Sequence, residues 1–93
     1  MAKPFQASKA FESALMSRLK AKSRPNLRTR RLIALLEDED SPRRRRRLAF
    51  LESHARTRLG VSMSARVNWE EVDWEAILEM IFRLLAFLVQ LFA

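Results

Sequence analysis

The chain has 93 residues with no cysteine, one glycine and three prolines, so it has room for one small domain, and disulfides and thiolate metal sites are excluded. Its formal charge of +7 is unevenly placed: residues 1–66 carry +11 and residues 67–93 carry −4. A composition rich in Leu, Ala, Arg and Glu with a single glycine sets the expected fold class as all-α, and an N-terminus without a continuous apolar run points to the cytoplasm rather than export.

In chain order, the first helix is expected from Ser8, a residue suited to capping, with Phe11, Leu15 and Leu19 recurring every fourth position. Pro25 disfavours helical geometry at Arg24, and Asn26 is suited to cap a second helix from Leu27 to about Glu39 that turns Leu32, Leu35 and Leu36 inward. Ser41 followed by Pro42 is a start signal for a third helix reaching Leu59, with Leu48, Leu51, Ala55 and Leu59 as its apolar stripe. Gly60 stands where a left-handed cap is expected. Asn68 is read as the cap of a fourth helix running to the C-terminus, 25 residues and about 38 Å long. The expected architecture is a bundle of three short helices plus one long hydrophobic C-terminal helix, oligomeric, divided into a basic region at 1–66 and an acidic-to-apolar region at 67–93.

The turn between the second and third helices sets Glu37 to Asp40 two residues from five arginines, Arg43 to Arg47. Both runs oppose their own helix dipoles, acids at a C-terminus and arginines at an N-terminus, and attraction across the turn offsets the cost. The stretch "LIALLEDEDSPRRRRRLAFL" resembles the inter-helix turn of a HEAT repeat over about twenty residues. It stands alone where an array needs several copies, so no solenoid is expected. The "SPRR" at Ser41 to Arg44 is similar to the S-P-basic-basic elements of basic DNA-binding tails.

Cancellation at the turn leaves residues 1–34 with nine Lys or Arg against one acid, Glu12. Arginine outnumbers lysine throughout, which suits bidentate recognition of phosphate or carboxylate. The expected partner is therefore a polyanion, nucleic acid (DNA or RNA), held by phosphate contacts largely without sequence specificity. The residues expected to bind it are Lys9, Arg18, Lys20, Lys22, Arg28, Arg30, Arg31, Arg43, Arg44, Arg45, Arg46 and Arg47. A structural adaptor meeting an acidic protein through the same arginines is the alternative partner reading.

From Ala76 to Ala93, fifteen of eighteen residues are apolar, so most of that helix must be covered. Self-association is expected to bury it through Trp69, Val72, Ile77, Met80, Ile81, Leu84, Leu85, Leu88, Leu91 and Phe92. Several copies would then present their arginines together and raise affinity for a polyanion by effective concentration. The general design is similar to that of small phage or mobile-element proteins that package nucleic acid. A membrane anchor is the alternative, with Trp69 and Trp74 at the interface and the basic body in the cytoplasm. Against it, Glu79 and Arg83 would each cost about 2.5 to 3.5 kcal/mol near the centre of a span.

Catalysis is not expected. The single histidine, His54, has no ligand partner at i±3 or i±4, one glycine cannot make a phosphate loop, and the row Glu71, Glu75 and Glu79 reads as a solvated strip. No cofactor or metal is implied.

Overall fold

Ser8 begins the described fold as the sequence anticipates: its backbone is extended and its Oγ accepts from the N–H of Phe11 at 3.2 Å. The computed structural model describes residues 7–21, 26–37 and 42–91. These form four helices, α1 (Lys9–Lys20), α2 (Leu27–Glu37), α3 (Pro42–Leu59) and α4 (Trp74–Leu91), with no strand among the described residues. α2 packs against α1, α3 and α4, and α3 also packs against α4.

Local chemistry accounts for most of the boundaries. Asn26 caps α2 through Oδ1, which accepts from the Thr29 N–H at 2.9 Å. The expected caps Ser41 and the last residues of the second helix, 38 and 39, lie outside the described residues. α3 ends on Gly60 at φ +72°, with Gly60 N–H bonded to Thr57 O at 3.1 Å and Val61 N–H to Arg56 O at 3.0 Å. This pair of bonds is the Schellman motif, and the left-handed φ is the reason that glycine stands there.

The fourth helix corrects the expectation. It starts at Trp74, and Asn68 instead closes a turn, accepting from Glu70 N–H on Oδ1 at 3.2 Å and from Glu71 N–H on its carbonyl at 3.1 Å. Asp73 is the cap, holding Ala76 N–H on Oδ1 at 3.4 Å and Ile77 N–H on its carbonyl at 3.2 Å. The physical reason lies in the two tryptophans. Five residues apart in one helix they would point about 140° apart, whereas the turn lets both enter the core. Phe11 meets Trp69 edge-on at 4.8 Å and stacks on Trp74 at 6.0 Å, while Trp74 Nε1 donates to the Trp69 carbonyl. Shortened to 18 residues, α4 is about 27 Å long.

The core gathers Phe11, Leu15 and Leu19 of α1, Leu32 and Leu36 of α2, Leu48, Leu51 and Ala55 of α3, and Ile77, Ile81, Leu85 and Leu88 of α4. Residues 1–66 and 67–93 thus contribute to one core. Trp69, Ile77, Ile81, Leu85 and Leu88, expected at an oligomer interface, are buried inside the chain and offer no surface to a second copy. α3 and α4 are equally long at 18 residues, so the expected contrast of three short helices with one long one does not hold, and the inner face of α4 completes the core. Val72, Met80 and Leu84 are half-buried, and the Leu91 side chain and Phe92 lie outside what is described.

Two polar arrangements are also buried. Glu52, 1% exposed, accepts on Oε1 from Ser8 N–H at 3.0 Å and Ser8 Oγ at 2.8 Å, and on Oε2 from Arg56 Nε at 3.3 Å. Arg56 Nη1 donates to the carbonyls of Ser62 and Ala65 at 2.8 and 2.6 Å, and its guanidinium lies 5.8 Å from the Trp69 ring centroid. This pair fastens α3 to the start of α1 and to the connector before α4. The second is Thr29, fully buried with no partner for Oγ1. Thr29→Val keeps the branched shape and removes the unsatisfied hydroxyl, and is expected to raise stability by about 1 kcal/mol. The readout is a higher urea midpoint at unchanged slope; a lower midpoint would mean that the hydroxyl is satisfied.

Candidate nucleic-acid interface

The arginine run divides by direction. Successive helical residues turn by about 100°, so five arginines in a row cannot share one face. Arg47 is only 7% exposed and its Nη1 donates to Leu35 O at 3.3 Å. Arg44 is half-buried, with Nε donating to Leu36 O at 2.7 Å and Nη2 paired with Glu12. Both carbonyls belong to the last turn of α2, where four acceptors lack partners within their own helix. Charges unfavourable to the start of α3 are therefore favourable to the end of α2, which resolves the conflict with the α3 dipole. Arg47 is withdrawn from the expected binding set by burial, and Arg44 is occupied in closing the α2–α3 corner.

Arg43, Arg45 and Arg46 are exposed. On α2, Arg28, Arg30 and Arg31 are exposed, and the stretch 26–36 contains no acid. Arg28 also lies over the Phe82 ring at 5.3 Å, joining α2 to α4. The Arg44 bond to Leu36 ties the start of α3 to the end of α2, so Arg30 and Arg31 stand about 8 to 9 Å along the α2 axis from that corner. On α1, Lys9 is exposed, Arg18 is exposed and donates to Glu70 O at 3.3 Å, and Lys20 forms a surface ion pair with Glu37. Lys22 and the acids 38–40 lie outside the described residues. Arg58 and Arg66 are exposed as well and were not singled out by the sequence, because neither belongs to a run.

Among the described residues the exposed acids are Glu37, which pairs with Lys20, and Glu70, Glu71, Asp73, Glu75 and Glu79 on the connector and the first half of α4. His54 is half-buried, its Nδ1 within 2.9 Å of the Phe50 carbonyl and its ring 4.2 Å from that of Phe50. Among the described residues no three His, Asp or Glu side chains gather as a metal site. No helix among them is long and apolar enough to cross a membrane.

The described residues form an all-helical globule of four helices, with exposed arginines on α2 and the first turns of α3. Comparisons with protein-family models, with curated proteins and with solved structures return no match to the chain.

Proposed function

We propose that the chain is a non-enzymatic basic helical module that binds a polyanion, nucleic acid before others, through phosphate contacts and largely without sequence specificity. The observation carrying this reading is the segregation of exposed charge. Arg28, Arg30 and Arg31 of α2 and Arg43, Arg45 and Arg46 of α3 are exposed, the stretch 26–36 contains no acid, and among the described residues every exposed acid except Glu37 lies at 70–79. Guanidinium groups in such a cluster repel one another in dilute salt, and phosphates relieve that repulsion while releasing condensed counterions. Association in several copies would add avidity without further contacts.

The test replaces Arg30, Arg31, Arg43 and Arg46 together by glutamine, leaving the structural Arg44 and Arg47 in place. Binding to duplex and single-stranded oligonucleotides, followed by anisotropy across a salt series, is expected to weaken. The slope of log K against log salt should fall by up to about 0.9 for each arginine that contacts duplex phosphate. An unsubstituted chain that binds neither probe in dilute salt overturns the reading, and binding an acidic polypeptide instead would make the module an adaptor.

A further inference from the structure

The inner face of α4 is spent on the core, yet its outer face is not what a monomer usually presents. Phe87 is 55% exposed, and half-buried Ala76, Met80 and Leu84 continue the apolar surface beside it, whereas Val89, 48% exposed, points about 160° away around the helix. Along one edge of this apolar strip runs an ion pair, Glu79 Oε1 to Arg83 Nη2 at 2.8 Å, with both side chains open to solvent. One acid and one base four residues apart make the face self-complementary: a second copy running antiparallel sets its Arg83 opposite Glu79 and its Glu79 opposite Arg83.

We infer that two copies of the chain pair antiparallel through the outer faces of α4, about a two-fold axis midway between Glu79 and Arg83. This deepens the assembly part of the proposed function. The same register satisfies the apolar flank. Phe87 lies about 9 Å from that axis along the helix and Ala76 about 7 to 8 Å on the other side. Being three turns apart, they share a flank, so each exposed Phe87 ring settles on the small Ala76 of the other copy. On one side of the Phe87–Ala76 contacts Leu84 meets Met80 of the other copy nearer the axis, and on the other side the ion pairs cross. A bulky residue over a small one and an acid over a base, in one register, are the complementarity that selects a second copy as occupant. Parallel pairing sets Glu79 against Glu79 and Phe87 against Phe87 and has neither property.

Sedimentation equilibrium of the full chain, nuclease-treated and without nucleic acid, tests this apart from polyanion binding. The unsubstituted chain is expected to be a dimer, and Glu79→Arg and Arg83→Glu should each lower its association constant by roughly tenfold or more, as two attractive contacts become repulsive. An equimolar mixture of the two variants should recover the dimer, because each then meets its complement. A monomeric unsubstituted chain, or a mixture no tighter than either variant alone, overturns the inference. Since the chain has no native cysteine, cross-linking gives a second readout. Ala76→Cys mixed with Phe87→Cys should form a mixed disulfide, whereas Phe87→Cys coupling efficiently to itself would indicate parallel pairing and sink the antiparallel model. Retained oligonucleotide binding in monomeric variants would leave the charge-based reading standing while this one falls.

Discussion

Glu52→Ala is expected to destabilise the fold by about 3 to 5 kcal/mol, the cost of leaving one member of a buried ion pair uncompensated. Burial decides the magnitude: Glu52 is 1% exposed and Arg56 7%, whereas the exposed pairs Lys20–Glu37 and Glu79–Arg83 are worth at most about 1 kcal/mol each. The carboxylate also holds the N–H and hydroxyl of Ser8, so its loss loosens the start of α1 as well as the Arg56 anchor. Native stability of small domains is about 5 to 15 kcal/mol, and a change of this size removes from about a fifth to all of it. Urea unfolding followed by circular dichroism gives the measurement. Glu52→Gln, which retains an acceptor for Ser8 but loses the charge facing Arg56, should fall between. In a double-mutant cycle, Glu52→Leu with Arg56→Met should cost less than the two single changes added, because no buried charge is left alone. A Glu52→Ala chain within 1 kcal/mol of the unsubstituted one would show that the pair is solvated.

Glu52 and Arg56 stand at i,i+4, a spacing the sequence displays, but α3 contains many charged residues and nothing local separates those that point inward. The arginine run has the same character. Its length is plain in the sequence, while the assignment of Arg44 and Arg47 to the α2 carbonyls depends on where α2 ends and how α3 crosses it. By contrast, Ser8, Asn26 and Gly60 act through their own backbone neighbours, and each does what its residue type suggests. Asn68 misled for a related reason: its side chain serves a turn as readily as a helix start. The choice was made by Trp69 and Trp74 competing for a place against Phe11, a tertiary contact about sixty residues away in sequence. The apolar run of α4 announced that most of its surface would be covered, and left open by what. The chain's own core covers the face that carries Ile77, Ile81, Leu85 and Leu88.

Phe11→Ala is expected to cost about 3 to 5 kcal/mol, and the same substitution at Phe87 less than about 0.5 kcal/mol in a monomer. The contrast isolates position from residue type. Phe11 is fully buried and makes both aromatic contacts that join α1 to the connector and to α4, whereas Phe87 is more than half exposed. Truncation at position 11 removes the transfer energy of the ring and leaves a cavity that two indoles cannot close without moving. Aromatic geometry contributes a further share, about 0.5 to 1.5 kcal/mol for such pairs, so Phe11→Leu should recover part of the loss and not all of it. Because Trp69 and Trp74 are the chain's two tryptophans and both border the site, intrinsic fluorescence reports on this contact directly. In the unsubstituted chain, fluorescence and far-ultraviolet circular dichroism should give coincident urea transitions, as expected of a single cooperative core shared by residues 1–66 and 67–93. Fluorescence changing well before helicity would mean that α4 separates from α1 to α3 as its own unit. In that case Phe11→Ala should move only the early transition, and the shared core would be the wrong description of how the chain holds together.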